Sequence, residues 1–255
     1  MLTPLKDASQ EKAPVVALLA TSNLETIITT FALNRLGLAV LFLSTRLTAP
    51  AYARLMDKAD CSTIIVSEAL QGIAEEIDAE RPCKAIPLLR SEDYRNRQAP
   101  PFTRGSDLLQ ESKKMAWILH SSGSTGFPKP IFLTNYQVLA NFRKSFAKRV
   151  FCVSPLFHSH ALNELGRAFY TKQPIYFVNY AFPVTGQNLL EAMRVAKPEQ
   201  VSAVPYVLKL LAETEEGIAE LAKAQIVLYA GSSCPDDLGD RLVAMGVKLA
   251  ANYGA

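Results

Sequence analysis

The stretch Met115-Ala-Trp-Ile-Leu-His120 is followed directly by Ser121-Ser-Gly-Ser-Thr-Gly-Phe-Pro-Lys129. The first part is an apolar run of strand length, and the second contains two glycines, four hydroxyl side chains and one lysine. This composition suits phosphate, because glycines let backbone N–H groups approach, hydroxyls donate hydrogen bonds and lysine supplies a mobile positive charge. The order therefore predicts a buried strand that leads into a phosphate-binding loop.

Other interpretations of this loop can be weighed from its residues. A Walker A loop needs a second glycine where Pro128 stands, and a serine or threonine where Pro130 stands. Proline offers neither an N–H to a phosphate nor a hydroxyl to a metal, so an ordinary P-loop NTPase is disfavoured. The chain also lacks a G-x-G-x-x-G pattern that would support a dinucleotide fold. A flexible surface turn has the same composition, and only the order of the residues argues against it.

Outward from this stretch, short apolar runs alternate with amphipathic helical segments along the chain. Nearly all-apolar runs are typical of parallel strands that are covered on both faces. Repeated strand–helix–strand units predict an α/β fold with mostly parallel, doubly wound sheets, and the number of strands allows two sheets. The predicted strands are Val15–Ala20, Leu38–Leu43, Ser62–Val66, Met115–His120, Val150–Val153, Pro174–Val178, Gln200–Val204, Gln225–Ala230 and Val247–Ala251.

Several helices have recognisable starts. Asn23 is suited to cap a helix that runs towards Leu36, and Gly37 is suited to end it. The other predicted starts are Thr48 with Pro50 in the first turn, Thr185 before a helix ending around Ala196, and Pro235 before one ending near Met245. By contrast, residues 94–111 carry Pro100-Pro101 and Gly105 and show no sustained period. That segment predicts a surface connection.

Composition excludes some classes of protein. With 255 residues, 49% of them apolar, the chain can form a packed core, and its formal charge is only +3. Basic residues are scattered, which argues against nucleic acid as a partner. The densest group, Arg143, Lys144, Lys148 and Arg149, is interrupted by apolar residues and predicts the solvated side of a helix.

The cysteine content and the hydropathy of the sequence indicate the cellular compartment of the protein. The four cysteines are far apart and form no C-x-x-C pair, which suits a reducing environment and disfavours a zinc knuckle. The first residues, Met1–Ala13, lack the apolar core of a signal peptide. The apolar run Leu36–Leu43 is far shorter than the ~20 residues of a membrane span. These features predict a cytoplasmic protein without a membrane partner.

The order of residues in 121–129 resembles the phosphate-binding signature of the adenylate-forming (AMP-binding) superfamily, which includes acyl-CoA synthetases, luciferases and adenylation domains. Pro130 replaces a glycine of many members, and this Pro-Lys-Pro-Ile ending resembles fungal enzymes that are like nonribosomal peptide synthetases. Residues 23–48 look like the early helix and strand of the same group. The resemblance implies that ATP phosphates contact Ser121, Ser122, Gly123, Ser124, Thr125, Gly126 and Lys129.

Further motifs extend the resemblance over nearly the whole chain. Ser154-Pro-Leu-Phe-His-Ser-His160 resembles the family segment beside the acyl group, where His158 matches a histidine near the adenylate and is the predicted catalytic residue. The segments 228–235 and 249–255 resemble the strands and turns around the adenine, with Tyr253 as the stacking aromatic. The implied adenine-side residues are Gly231, Ser232, Ser233, Ala251, Asn252, Tyr253 and Gly254.

The segment Ser154–His160 also narrows the class of acid that can be the substrate. Adenylation domains for α-amino acids tend to place an aspartate here, and a buried ammonium without a counter-charge would be costly. No acidic residue occurs from Val153 to Leu162, and Glu164 is the first. An aryl, keto or fatty acid is therefore expected rather than an amino acid.

The resemblance implies a reaction in which the acid and ATP give acyl-AMP and pyrophosphate, followed by transfer to the thiol of a phosphopantetheine carrier or CoA. The family uses Mg²⁺, whose main ligand is expected in sequence after Ala255, together with the C-terminal subdomain; no metal ligand is predicted within 1–255. On this interpretation the chain is an incomplete AMP-binding domain that is inactive alone. A nucleotide- or acid-binding fragment without turnover, and a fragment unable to hold ligand, are the alternatives.

Overall fold

The computed structural model describes residues 13–98, 100, 107–121, 127–180 and 182–253. The chain divides into two compact units, Met1–Val138 (unit 1) and Leu139–Ala255 (unit 2). Within the described residues, unit 1 has one sheet of six strands and unit 2 has one sheet of five. The predicted α/β class with largely parallel sheets is thus confirmed.

Unit 1 contains strands β1 Val15–Leu19, β2 Ala39–Phe42, β3 Thr63–Val66, β4 Lys84–Pro87, β5 Met115–His120 and β6 Pro130–Thr134. Its helices are α1 Leu24–Arg35, α2 Ala49–Lys58, α3 Gln71–Glu80, α4 Ser91–Tyr94, α5 Leu108–Lys113 and α6 Asn135–Phe142, of which α6 continues into unit 2. The strand order is β4-β3-β1-β2-β5-β6. All neighbouring strands are parallel except β6, which runs antiparallel to β5.

Unit 2 contains strands β7 Val150–Cys152, β8 Ile175–Phe177, β9 Gln200–Ala203, β10 Ile226–Tyr229 and β11 Leu249–Ala251. Its further helices are α7 Ser159–Thr171, α8 Gly186–Ala196, α9 Pro205–Leu211, α10 Glu215–Lys223 and α11 Asp236–Ala244. The order is β11-β10-β9-β7-β8, and every pair is parallel. The carboxyl ends of these five strands therefore meet at one edge of the sheet.

The predicted helix starts are confirmed. The side chains of Asn23 and Thr185 each accept a hydrogen bond from the backbone N–H three residues further on, at 2.9 and 3.2 Å. Gly37 follows α1 with a φ of +82°, a left-handed conformation that glycine adopts without steric cost. Thr48 and Pro235 occupy the cap positions of α2 and α11 without a side-chain cap bond.

All nine predicted strands are present, but two strands were not predicted. Strand β4 is exposed at three of its four positions, so it carries no apolar pattern. Strand β6 begins at Pro130, directly after the predicted phosphate loop. Both lie at the outer edges of the sheet, where a proline need not donate a ladder hydrogen bond.

Two other expectations need correction. Helix α5 begins inside the predicted connection 94–111, because the Asp107 carboxylate accepts the Leu109 N–H at 2.8 Å and caps it. The basic residues 143–149 do not form a helix, since α6 ends at Phe142. Instead, the Arg149 N–H donates to the Glu199 carboxylate at 3.0 Å, which holds the chain extended as it enters β7.

Each unit has its own apolar core. In unit 1, Tyr52, Met56 and Ile64 are fully buried between the sheet and its helices, and in unit 2, Met193 and Leu208 are fully buried. Burying a side chain of this size contributes about 1.5–3 kcal/mol. These cores hold the strands whose ends carry the predicted site residues.

Candidate functional site

The predicted phosphate loop is carried by the hairpin of β5 and β6 in unit 1. The Ser121 N–H donates to the Lys129 carbonyl at 3.0 Å, and the Lys129 N–H donates to Ser121 Oγ at 3.2 Å. The structure thus brings these two predicted residues together at the base of the loop. The other predicted phosphate contacts, Ser122, Gly123, Ser124, Thr125 and Gly126, lie outside the described residues.

Strand β5 is held in place by a buried tryptophan. The Trp117 indole N–H donates to the Asn34 side-chain oxygen at 2.8 Å, and the Asn34 amide in turn donates to the Ala116 carbonyl at 3.1 Å. The Trp117 ring also packs edge-on against Phe42, with centroids 5.7 Å apart. Helix α1 and strand β2 therefore fix the strand that leads into the loop.

His120 links the end of β5 to the loop. Its Nε2 accepts the Ser44 N–H at 3.1 Å, so in the neutral ring the proton is on Nδ1, which lies 3.3 Å from the Ser121 carbonyl. Burial lowers the pKa of His120, and the Ser121 hydrogen bond only partly opposes this. Protonation of Nε2 would break the bond to Ser44. His120 therefore serves as a neutral structural link.

Two cationic side chains lie by this loop. The Arg54 guanidinium stacks over the Phe127 ring, with Cζ 3.9 Å from the ring centroid. Lys129 is exposed, and its ammonium forms no ion pair with any residue that the structure describes. Arg54 was missed from the sequence, since it lies in α2, far from the motif. A loop flanked by two positive charges suits a polyanion.

In unit 2 the other predicted residues gather at the carboxyl edge of the sheet. Hydrogen bonds continue past the strand ends: the Val153 N–H donates to Ser202 at 3.0 Å, and the Asn252 N–H donates to Tyr229 at 2.8 Å. Ligands of open α/β sheets bind outside such strand ends. Three of the five strands, β7, β10 and β11, lead into predicted site residues here.

The predicted adenine-side residues are open to ligand. Gly231 has a φ of +95°, so a side chain there would be strained although space for a Cβ exists. The Tyr253 side chain is fully exposed at 102% and can accept a stacking partner. The remaining predicted residues, Ser232, Ser233, Ala251 and Asn252, are exposed as well, whereas Gly254 lies outside the described residues.

His158 is the N-cap residue of α7 at this same edge. Its ring is exposed and lies 4.5 Å from the Phe157 ring, at a tilt of 52°. The preceding strand end is also contacted by Tyr180, whose hydroxyl donates to the Val153 carbonyl. The loop after β8 is thereby held beside the His158 segment. Tyr180 is another residue that the sequence motifs did not indicate.

His160 differs from His158 in being mostly buried. Its Nδ1 lies 3.3 Å from Ser154 Oγ, while its Nε2 is buried without a hydrogen-bond partner among the described residues. Burial, followed by the positive charges of Arg167 and His158, lowers the pKa of His160 to about 4. The ring is therefore neutral at pH 7.

This burial predicts a loss of stability in acid. The folded pKa of about 4 lies below the ordinary 6.5, so the unfolded chain binds a proton first and stability falls as the pH drops from 6.5 towards 4. Between pH 7 and pH 5, His160 should cost about 2 kcal/mol of unfolding free energy. Urea titrations of the chain and of His160→Gln at both pH values measure it. An equal pH dependence in the two proteins would contradict the assignment.

A buried polar network lies behind the His158 segment. Glu164 accepts hydrogen bonds from Arg167 Nη1 at 2.7 Å and from Gln200 Nε2 at 3.0 Å, and the Gln200 amide also donates to Ser202 Oγ at 3.0 Å. Burial raises the pKa of Glu164, and Arg167 opposes the rise. Sequence reasoning noted Glu164 only as the first acid after the motif. The sequence feature that could have identified Glu164 is a polar residue on a helix face whose other positions are mostly apolar.

The described residues contain no group of three or more His, Cys, Asp or Glu side chains that could hold a metal ion. Among the helices in the same part of the chain, none combines the length and the apolar character that crossing a bilayer requires.

Comparison with known proteins gives one family throughout. The family model described as AMP-binding enzyme matches residues 4–255. An adenylate-forming reductase of Aspergillus terreus is 28% identical, over 98% of this chain and 25% of its own length. A non-canonical non-ribosomal peptide synthetase of Acremonium egyptiacum is also 28% identical, over 98% of this chain and 24% of its own length.

The fold is likewise shared with solved structures. A benzoate CoA ligase from Burkholderia xenovorans superposes with a TM-score of 0.79 at 16% identity, over 96% of this chain and 51% of that chain. The chain spans about a quarter of the length of the curated relatives it matches.

Proposed function

Since the chain belongs to the AMP-binding enzyme family, we propose that it forms part of an enzyme that activates a carboxylic acid with ATP. An oxygen of the acid attacks the α-phosphorus of ATP, the bond to the β-phosphate breaks, and acyl-AMP and pyrophosphate form. The acyl group then passes to the sulfur of a carrier-protein or CoA thiol, and AMP leaves. The observation that carries the proposal is the hairpin that joins Ser121 to Lys129 at the base of the loop.

The contribution of unit 1 to this reaction is electrostatic. Negative charge grows on pyrophosphate as it leaves, and preorganised donors that meet this charge lower the barrier. The Lys129 ammonium is exposed and carries no ion pair within the described residues, so it can serve the phosphates. Mg²⁺ would neutralise further phosphate charge when bound with ATP, and no side chain of the described residues is assigned to it.

The contribution of unit 2 is to hold the acyl and adenine groups at the carboxyl edge. Tyr253 is placed to stack on adenine, which adds about 0.5–1.5 kcal/mol beyond area burial by analogy with aromatic pairs. We assign His158, the N-cap residue of α7, to the acyl side of the site. Both side chains are exposed at the edge where α/β sheets bind ligands.

The class of acid follows from the charges near His158. The segment Val153–Leu162 contains no acidic residue, and the first one after it in sequence, Glu164, is only 2% exposed and already bonded to Arg167 and Gln200. Both carboxylate oxygens of Glu164 already accept hydrogen bonds in the buried network, so Glu164 is not available to a substrate ammonium. The desolvation cost of that ammonium would then be uncompensated. The proposed substrates are aryl, keto or fatty acids.

We therefore expect acids without an α-amino group to be preferred over their amino counterparts. Matched pairs that differ only at the α-carbon, such as phenylpyruvate with phenylalanine and 4-methylpentanoate with leucine, isolate this effect. The measurement, made on the parent enzyme that contains this chain, is acyl-AMP trapped with hydroxylamine, or pyrophosphate released, with ATP and Mg²⁺. Preference for the free amino acids in both pairs would contradict the proposed substrate class.

The alternative, a nucleotide- or acid-binding fragment without turnover, uses the same residues. It is separated by the same assay combined with equilibrium binding of AMP and of a non-hydrolysable aroyl-sulfamoyl-adenosine. Binding with hydroxamate formation supports the enzyme, and binding without it supports the alternative. Absence of both would contradict each of them.

A further inference from the structure

Helix α7 buries polar side chains on the face that should be apolar. His160, Glu164 and Arg167 are spaced i, i+4 and i+7, so they lie on one face of the helix. Glu164 is only 2% exposed, and the Arg167 side chain is 16% exposed. This polar face runs from the ligand edge of the sheet, at His160, towards the far end of the helix.

Each of these side chains has a directional partner outside the helix. Glu164 bonds to Gln200 of β9 at 3.0 Å, and the Arg167 Nε donates to the Asn141 carbonyl at 3.4 Å. His160 lies 3.3 Å from Ser154 Oγ, immediately after β7. The helix is thus bonded to β9 at one point, to the loop after β7 at a second and to the end of α6 at a third.

Stability alone does not explain this arrangement. Replacing a buried ion pair by apolar residues of similar volume is often neutral or stabilising by about 1–4 kcal/mol. Buried polar pairs are retained in some proteins because they fix the register of a helix. The buried face of α7 also carries Leu162 and Leu165, and a Cβ at Gly166 would lie 1.9 Å from the Phe142 ring, so apolar packing restrains the helix as well. The polar bonds are the directional part of this restraint.

We propose that Glu164, held by Arg167 and Gln200, is a positioning residue that sets the rotation of α7 and thereby fixes His158 beside the acyl group. This inference rests on the proposed function. A rotation of about 20° moves a side chain at the helix surface by about 2 Å. Displacement by about 1 Å at a reacting centre can cost a factor of about 10². The N-cap residue His158 turns with the helix that it begins.

The test separates positioning from stability by replacing the network with apolar residues. The test variant is Glu164→Leu with Arg167→Met, which leaves Gln200 bonded to Ser202. The matched control is Glu220→Leu with Lys223→Met in α10, another i, i+3 pair with a buried glutamate, at 2.7 Å. Both double variants should keep a melting temperature within about 4 °C of the unaltered chain.

Two measurements then report whether His158 has moved: the affinity for ligands and the NMR signal of its ring. Affinity for an aroyl-sulfamoyl-adenosine should fall at least about 10-fold in the test variant, while affinity for AMP stays within about twofold. The control should change neither. Because the chain has three histidines, the ring signals in NMR spectra can be assigned by substitution. The signal of His158 should shift in the ligand-free test variant and not in the control.

The outcomes are distinguishable. A folded test variant that binds the analogue normally and shows an unshifted His158 signal would overturn the positioning role. Failure of the unaltered chain to bind either AMP or the analogue would overturn the proposed function instead, and the ligand-free His158 signal would still decide the positioning role. If the test variant does not fold, Gln200→Met, which removes the bond that joins Glu164 to β9, replaces it with the same two readouts.

Discussion

In the parent enzyme that contains this chain, Lys129→Ala is expected to weaken ATP binding or slow acyl-AMP formation by about 10- to 150-fold. The loss corresponds to one charge-assisted hydrogen bond of about 1.5–3 kcal/mol. The ammonium extends from the base of the loop, where the Lys129 backbone is bonded to Ser121 at both its N–H and its carbonyl. The position of the Lys129 backbone therefore does not depend on the lysine side chain, so the substitution should remove the charge without disturbing the hairpin.

Equilibrium binding of ATP and acid-dependent exchange of pyrophosphate into ATP measure this effect. Lys209→Ala is the matched control, because it removes the same charge from an exposed position in α9. The control should bind ATP as the unaltered chain does. If Lys129→Ala keeps both ATP affinity and exchange, the loop does not have the role assigned to it.

Gly217→Ala is expected to destabilise the chain by about 3 kcal/mol, the upper end of the usual cost of overpacking. Gly217 is buried in the first turn of α10. A Cβ at this position would lie 2.0 Å from the Leu211 carbonyl oxygen, which belongs to the backbone and cannot turn away. Helix α10 would have to move from α9, and Ile218 and Leu221 would lose part of their packing in the core of unit 2.

Gly239→Ala provides the control for this substitution. Gly239 also lies inside a helix, α11, but a Cβ there would meet no atom within 4 Å. Alanine should therefore stabilise the chain by about 0.5–1 kcal/mol through helix propensity alone. Urea unfolding measures both free energies. Changes of the same sign and size would show that the close contact at Gly217 is relieved without cost.

Much of the fold could be predicted because its strands are covered on both faces. The run that contains β2 is apolar at every position from Ala39 to Phe42, and all four residues are buried. Edge strands carry no such pattern, since one side of their backbone pairs with nothing in the sheet and their side chains stay partly exposed. Strand β4, with a lysine and a proline among its four residues, could not be found by apolar periodicity.

The candidate site was predictable only where its residues are close in sequence. The motif from Ser121 to Lys129 indicates phosphate by its composition, but the bonds between its two ends depend on the antiparallel strand β6. The pairing of Glu164 with Gln200 joins residues 36 positions apart. Helical spacing places Glu164 on a face, and only the packing of α7 on the sheet supplies its partner.

The outer strands of the two sheets differ in how they would meet another chain at high concentration. In unit 1, β4 ends at Pro87 and β6 begins at Pro130, and proline cannot donate to an incoming strand. In unit 2, Ile175–Phe177 and Leu249–Ala251 carry neither a charge nor a proline, and only their length of three residues limits pairing. Aggregation by strand addition would therefore begin at unit 2, and most readily along the aromatic edge at Tyr176.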